Sequence, residues 1–160
     1  MSFEVVYGDI FAQDVPVIVN PVNCVGVMGK GLALQFKARY PTMYTWYRQE
    51  CLAGRVKVGH VQIVQLALSS KVSYIVNFPT KIHWREPSRL VWIATGLDSL
   101  VAWCRASAIA AIAVPALGCQ NGGLRLADVQ PLIEAAAAQL PTTRVLLVLQ
   151  PKESAESADG

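Results

Sequence analysis

Runs of apolar residues alternate with amphipathic stretches along most of the chain. Val15–Val19 and Ala108–Val114 are apolar throughout, a pattern typical of strands buried on both faces of a parallel sheet. Across Leu90–Cys104, by contrast, apolar residues recur at helical spacing, which predicts a helix with one buried face. Strands are predicted at 3–7, 15–19, 61–66, 72–77, 108–114 and 145–149, and helices at 32–40, 41–51, 88–104 and 128–140. This alternation indicates an α/β sandwich around a largely parallel sheet.

Two residues bear on the first turns of predicted helices. Ser88 precedes the long third helix, and a serine hydroxyl in that position can accept a hydrogen bond from a free N–H of the first turn. Pro131 falls in the first turn of the fourth predicted helix, where its missing N–H is tolerated. We therefore expect the third helix to be capped by Ser88 and the fourth to begin near Asp128.

The composition is that of one globular domain without covalent cross-links. At 160 residues the chain can bury a sizeable core. Its four cysteines form no C-x-x-C pair, and its first residues contain neither a cationic start nor a long apolar stretch, so a reducing cytoplasm, no secretion signal and no membrane span are expected. Two histidines at these spacings do not suggest a zinc site, and no metal or cofactor is expected. Residues 1–150 are expected to form the domain and 151–160 a polar, disordered tail.

Two glycine-rich loops follow predicted buried strands. Asn20–Leu32 contains three glycines and leads into a helix, and Pro115–Leu124 contains three more. Neither has the spacing of a P-loop or of a dinucleotide-binding fingerprint. Each could be a tight turn in which glycine serves packing alone, or the two could hold a pair of linked phosphates between unshielded N–H groups. The presence of two such loops favours a diphosphate ligand.

A third segment, Asn77–Arg85, places cations beside an aromatic residue after the fourth predicted strand. Trp84 could stack a nucleic-acid base while the cations bind phosphates, or it could be buried in the core beneath a basic turn. Lys81 would face the crevice between strand ends, where partial burial and nearby cations would lower its pKa and make it a better nucleophile or proton carrier. Cys24 and Cys119 have no partner base in the sequence and are expected to be small apolar loop residues.

These strings together resemble macrodomains, the ADP-ribose-binding α/β modules, over nearly the whole chain. The resemblance rests on Gly8-Asp9-Ile10, on the Asn20-x-x-Asn23 loop and on the Pro115-x-x-Gly118 loop. Within the family the chain resembles the DarG-type subclass, through Val22–Gly31, Leu34–Lys37 and Asn77–Lys81 followed by His83-Trp84-Arg85. The resemblance implies a three-layer α/β/α sandwich with a mixed, largely parallel central sheet.

The resemblance also implies an activity. A DarG-type chain is a hydrolase that removes ADP-ribose from thymidine bases of single-stranded DNA, and it is the antitoxin that reverses the modification made by a DarT-type toxin. ADP-ribose, ADP-ribosylated DNA and such a toxin are the implied partners, and we expect a monomer. Two alternatives stay open: a module that binds ADP-ribose without cleaving it, and a hydrolase of ADP-ribosyl esters on protein glutamate or of O-acetyl-ADP-ribose.

Roles for individual residues follow from the same resemblance. Lys81 is the implied catalytic residue at the anomeric carbon of the distal ribose, as nucleophile, acid or electrostatic aid. Asp9 would accept a hydrogen bond from the adenine amino group, and Asn23 would hold the distal ribose. The implied ADP-ribose ligands are Asp9, Ile10, Asn20, Asn23, Val25, Gly26, Met28, Gly29, Lys30, Gly31, Thr80, Leu117, Gly118, Cys119, Gln120, Asn121, Gly122 and Gly123. The implied DNA contacts are His83, Trp84, Arg85 and Arg89.

The second glycine loop departs from the subclass in two places. Relatives usually carry a glycine at Gln120 and an Asp-Trp pair at Arg125-Leu126. The side chain of Gln120 is therefore expected to crowd the phosphates. The missing acidic residue argues against release of ADP-ribose from protein.

Overall fold

Six strands form one mixed sheet in the computed structural model, which describes residues 2–150. They are β1 (Ser2–Tyr7), β2 (Val17–Val22), β3 (Gln62–Gln65), β4 (Tyr74–Pro79), β5 (Ala111–Pro115) and β6 (Arg144–Leu149). Their order in the sheet is β1-β6-β5-β2-β4-β3. The pairs among the first five strands in this order are parallel, and β3 runs antiparallel to β4. The predicted mixed, largely parallel sheet is confirmed.

Four α-helices cover the two faces of the sheet in this part of the chain. They are α1 (Gly31–Arg39), α2 (Pro41–Leu52), α3 (Leu90–Ala106) and α4 (Leu126–Ala138). On one face Phe36 of α1 packs in a cluster with Ile18 of β2, and on the other Ile93 of α3 packs with Val19. Because successive strand side chains point to opposite faces, the uninterrupted apolar run of β2 contributes to both cores. The three-layer sandwich is therefore confirmed.

Strand β2 extends beyond its predicted end at Val19, but its pairing with β5 ends before that residue. It pairs with β4 as far as Val22, but its pairing with β5 covers Val17 and Ile18 alone. Strand β5 meanwhile stays paired with β6 up to Pro115. A fork therefore opens between the carboxyl ends of β2 and β5, in the kind of position where open α/β sheets bind ligands.

The predicted cap of α3 and the predicted first-turn position of Pro131 were wrong. Arg89, not Ser88, occupies the N-cap position of α3, and its side chain makes no capping hydrogen bond. Ser88 is instead buried. Its N–H donates to the carbonyl oxygen of Gly122 at 2.8 Å, and this hydrogen bond ties Ser88 to the second glycine loop. Helix α4 starts at Leu126, which places Pro131 in the second turn.

Between residues 2 and 150, none of the helices has the length and apolar character needed to cross a bilayer. The predicted polar tail, 151–160, lies outside the described residues.

Candidate functional site

A cavity of about 330 Å³ occupies the fork between β2 and β5. Its walls come from the end of β2 with the first glycine loop, the first turn of α1, the end of β4, and the second glycine loop. It is lined by Pro21, Val22, Asn23, Val27, Gly29, Lys30, Leu32, Ala33, Thr80, Lys81, Trp84, Pro115, Ala116, Gly118, Cys119, Gln120, Asn121 and Gly122. The three predicted loops therefore converge on one crevice.

Many of the predicted site residues line this cavity, but not all of them do. Those outside the lining are Asp9, Ile10, Asn20, Val25, Gly26, Met28, Gly31, Leu117, Gly123, His83, Arg85 and Arg89. Among them Ile10, Asn20, Met28 and Leu117 are buried in the interior. These four side chains therefore belong to the interior and not to the cavity lining.

The apolar part of the lining was missed by sequence reasoning. It comprises Pro21, Val22, Val27, Leu32, Ala33, Pro115 and Ala116. Most of these residues lie at the end of β2 or β5 or in the first turn of α1. Their position could have identified them, because residues at the ends of two diverging strands face the space between those strands.

Asp9 lies at the same edge of the sheet as the cavity but outside its lining. It follows β1, which is separated from β5 by β6. Its carboxylate Oδ1 accepts a hydrogen bond from the N–H of Phe11 at 2.9 Å and caps a short 3-10 helix, Ile10–Ala12. The expected contact between Asp9 and adenine stays a prediction, and it would require the adenine to lie beyond the cavity on the β1 side.

Asn23 organises the first glycine loop. Its Oδ1 accepts hydrogen bonds from the N–H groups of Val25 and Val27 at 3.1 and 3.4 Å, and its Nδ2 donates to the carbonyl oxygen of Val27 at 2.7 Å. Because both ends of this carboxamide are bonded within the loop, its side chain holds the loop in shape. The expected contact with the distal ribose stays a prediction.

The side chain of Asn20, an implied ligand, is hydrogen-bonded within the sheet. Its Nδ2 donates to Asn77 Oδ1 at 3.0 Å, and Asn77 Nδ2 donates to Gln62 Oε1 at 2.9 Å. Asn20 and Asn77 stand opposite each other in the β2–β4 ladder, and neither is exposed. This row of buried amides joins β2, β4 and β3 beside the cavity.

The second glycine loop is tightly folded. The carbonyl oxygen of Gly118 accepts a hydrogen bond from the N–H of Leu124 at 2.9 Å. A Cβ at Gly122 would lie 2.5 Å from that same oxygen and would collide with the Ser88 hydroxyl, so position 122 has no room for a side chain. Gln120 is exposed and belongs to the lining of the cavity, and the expected crowding of the phosphates by its side chain stays a prediction.

Lys81 is a buried cation with two backbone partners. It is 7% exposed, and its Nζ donates to the carbonyl oxygens of Trp84 at 3.2 Å and Asn121 at 3.0 Å. Burial away from water and, to a smaller extent, the charge of Lys30 lower the pKa of its amine. The predicted direction of this pKa shift is therefore confirmed.

The lining of the cavity is positively charged. Lys30 and Lys81 belong to it, and no aspartate or glutamate of the described residues does. A cavity of this kind, next to the N-terminus of α1, favours an anionic ligand.

Trp84 is not buried in the core, contrary to one of the two interpretations above. It is 40% exposed and lines the mouth of the cavity. Its ring stacks with that of His83 at a centroid distance of 5.3 Å, and the guanidinium carbon of Arg85 lies 4.5 Å from its centroid. Arg89 lies instead 5.8 Å from the Trp92 ring. The segment thus presents an aromatic surface with two basic neighbours, and Arg89 belongs to a separate pair.

Cys24, whose Sγ lies 3.6 Å from the carbonyl oxygen of Lys81, is not an activated nucleophile. Burial and, to a lesser extent, Cys51 raise the pKa of the Cys24 thiol to about 11, so it stays protonated at neutral pH. Cys119 belongs to the second glycine loop and lines the cavity. Within residues 2–150, no three histidine, cysteine, aspartate or glutamate side chains come together as a metal site.

Comparisons with known proteins bear on this cavity. Residues 19–133 match the model of the Macro domain family. The chain is 48% identical over 134 residues to the DNA ADP-ribosyl glycohydrolase of Mycobacterium tuberculosis, which covers 84% of this chain but 38% of that protein. The chain therefore spans about two fifths of the length of this curated relative.

Solved structures agree with this match. The fold is similar to that of the macrodomain of Mycobacterium tuberculosis DarG, with a TM-score of 0.88 and 44% identity over 91% of this chain and 97% of that one. It is also similar to DarTG of Thermosipho africanus in complex with ADP-ribose, with a TM-score of 0.86 and 31% identity over 94% of this chain and 42% of that one.

Proposed function

Because the chain belongs to the macro domain family, we propose that its cavity binds ADP-ribose and that it is a DNA ADP-ribosyl glycohydrolase. Its substrate is ADP-ribosylated thymidine in single-stranded DNA, and its biological role is to reverse a DarT-type toxin. The observation that carries the proposal is Lys81, a buried amine at a positively charged cavity beside an exposed tryptophan. The name of the relative at 48% identity, DNA ADP-ribosyl glycohydrolase, supports DNA as the carrier of the ADP-ribose.

The diphosphate of ADP-ribose lies between the two glycine loops in this proposal. The first turn of α1 offers free N–H groups there, and Lys30 adds a positive charge. From the opposite wall, the backbone of the Gly118–Gly123 loop faces the same space. The distal ribose then points to the inner end of the cavity, towards Lys81, and the adenosine towards Asp9.

Among the possible roles of Lys81 we propose the nucleophile, because burial lowers the pKa of its amine and opposes the preference of its two carbonyl partners for the ammonium form. A neutral amine has two N–H bonds and one lone pair. The carbonyl oxygens of Trp84 and Asn121 can accept both hydrogens, which leaves the lone pair free to react. The lowered pKa increases the neutral fraction that carries this lone pair.

In the proposed reaction Nζ of Lys81 forms a bond to the anomeric carbon as the bond from that carbon to the base nitrogen breaks. The electron pair of the broken bond stays on the base, which takes up the proton that the amine loses. Water then adds to the same carbon, breaks its bond to Nζ and restores the amine. The products are free ADP-ribose and unmodified DNA.

The surface formed by His83, Trp84 and Arg85 accepts the DNA strand in this proposal. Trp84 lies both at the mouth of the cavity and against the two basic side chains. A base beside the modified thymidine can stack on the indole, while the cations contact phosphates. Arg89, which lies beside Trp92 outside this surface, adds positive charge that attracts the phosphates of the strand.

The activity is tested with an oligonucleotide that carries ADP-ribosylated thymidine. Lys81→Ala should slow release of ADP-ribose by roughly 10²–10⁴-fold, while calorimetry should still detect ADP-ribose binding. Lys71→Ala, a change at a lysine outside the cavity lining, is the matched control and should turn over like the unaltered protein. Equal rates with and without Lys81 would remove it from the mechanism.

The substrate panel decides between the alternatives. Binding of ADP-ribose without release from any substrate would identify a recognition module. Release from glutamyl esters or from O-acetyl-ADP-ribose but not from DNA would identify an ester hydrolase. We expect release from DNA, because no described carboxylate lines the cavity to activate water against an ester.

A further inference from the structure

Asn121 contacts two walls of the cavity at once. Its carbonyl oxygen accepts a hydrogen bond from Lys81 Nζ at 3.0 Å. Its carboxamide reaches the opposite loop, where Nδ2 lies 3.2 Å from the point that a Cβ on Gly31 would occupy. Asn121 is otherwise exposed at the rim of the cavity.

Gly31 makes this contact possible. It begins α1 with a φ of +55°, a conformation that residues with a Cβ rarely adopt. Without a side chain there, the carboxamide of Asn121 can lie against the backbone of the first glycine loop. The two loops thus meet above the space assigned to the diphosphate.

We propose that Asn121 is a positioning residue: its carboxamide rests against Gly31 across the cavity, and this contact holds its carbonyl where it orients the amine of Lys81. The inference rests on the function proposed for Lys81. The hydrogen bond from Ser88 holds the loop at Gly122, and the contact with Gly31 restrains it on the Asn121 side. Loss of the contact frees the carbonyl, and the amine then keeps its hydrogen bond to the Trp84 oxygen.

A test without any substrate measures the reactivity of Lys81 itself. An amine-acylating reagent is applied across a range of pH, and modification of Lys81 is followed by peptide mass spectrometry. A carbonyl acceptor stabilises the ammonium form, so Asn121→Ala should lower the pKa of Lys81 and shift its half-labelling point to lower pH. Gln130→Ala, which removes an amide bonded to Glu134 on α4 outside the cavity, is the control and should leave that point unchanged. If the pH at which Lys81 is half labelled is the same in Asn121→Ala as in the unaltered protein, the proposal is overturned.

A double-mutant cycle on DNA turnover tests the contact from its other side. Asn121→Ala should lower kcat by roughly tenfold to hundredfold, as expected when a reacting group is misplaced. Gly31→Ala should lower it as well, because the new methyl group presses on the carboxamide. If both act through one contact, the double variant should lose less than the sum of the two single losses, because the backbone strain of a Cβ at Gly31 remains but its clash with the carboxamide is gone. Additive losses overturn the proposal.

The outcomes separate this inference from the proposed function. If the unaltered protein releases no ADP-ribose from DNA, the proposed function is refuted. The shift of the labelling curve in Asn121→Ala still tests whether Asn121 orients the amine of Lys81, because labelling needs no substrate. An active protein whose Asn121→Ala variant has the original rate and labelling curve refutes the inference and leaves the function standing. Melting curves of each variant show that the labelled protein is folded.

Discussion

The hydroxyl of Tyr47 lies 2.8 Å from the carbonyl oxygen of Asn23 and 2.9 Å from its Oδ1. Tyr47 belongs to α2 and is fully buried, whereas Asn23 belongs to the cavity wall. Burial raises the pKa of the phenol well above its usual value, so the hydroxyl stays protonated and remains able to donate. A helix outside the cavity therefore helps to shape the first glycine loop.

Tyr47→Phe removes this donor and leaves buried oxygens of Asn23 with fewer hydrogen bonds. We expect the free energy of unfolding to fall by about 1–3 kcal/mol, measured by urea denaturation. ADP-ribose should also bind more weakly in calorimetry, because the loop is less well held. The same change at the exposed Tyr7 is the control. Full stability and full affinity in Tyr47→Phe would show that the hydrogen bond does not support the site.

Lys30 lowers the pKa of Lys81 through its charge, as the smaller cause beside burial. Lys30→Met should therefore raise the pKa of Lys81 towards its ordinary value. At a given pH less of the amine is then neutral, so both acylation of Lys81 and turnover of DNA should require higher pH. Lys30→Arg keeps the charge and should keep the original profile. A profile that moves to lower pH in Lys30→Met would contradict this electrostatic account.

Gly96 lies in α3 against the ring of Phe78, and a Cβ there would sit 2.7 Å from Cε1 of that ring. In an open helix a glycine-to-alanine change stabilises by about 1 kcal/mol. Here we expect Gly96→Ala to destabilise by about 1–3 kcal/mol instead, because of the overpacking. The sign, measured by urea denaturation, decides between helix propensity and packing. Phe78→Leu in the same chain should recover part of the loss that Gly96→Ala causes.

Arg85 is expected to contact a DNA phosphate beside Trp84. Arg85→Ala should weaken binding of single-stranded DNA, and the slope of log affinity against log salt should become shallower by about 0.7, as expected for one lost phosphate contact. Arg105→Ala is the control, since Arg105 is bonded to the carbonyl oxygen of Gln139 away from the cavity. An unchanged slope would place the DNA strand elsewhere.

Trp84→Ala tests the stacking surface separately from charge. Loss of one stacked base should weaken binding of DNA by about 1–3 kcal/mol, with the salt slope unchanged. Binding is measured by fluorescence anisotropy of a labelled oligonucleotide. Trp103→Phe, a change at a tryptophan that packs edge-on to Tyr74, is the control. A variant that binds DNA as tightly as the unaltered protein would exclude the indole as a platform.

The local features of this protein could be predicted from its sequence. The apolar run of β2 and the helical spacing in α3 identified their elements, because periodicity depends on neighbouring residues alone. The glycines of both loops and the position of Lys81 after a strand indicated an anion site, and the structure brings these segments to one cavity. The direction of the Lys81 pKa shift followed from the same placement.

Other features depend on residues far apart in the sequence. The fork between β2 and β5 arises because β2 continues with β4 after its pairing with β5 has ended. Asn20 is buried, and its amide nitrogen donates to Asn77 on the neighbouring strand. The approach of Asn121 Nδ2 to within 3.2 Å of the point that a Cβ on Gly31 would occupy depends on the spacing of two loops, which no local pattern encodes. Strand partners and packing distances determine these features, so the tertiary structure alone decided which polar side chains face the cavity and which support it.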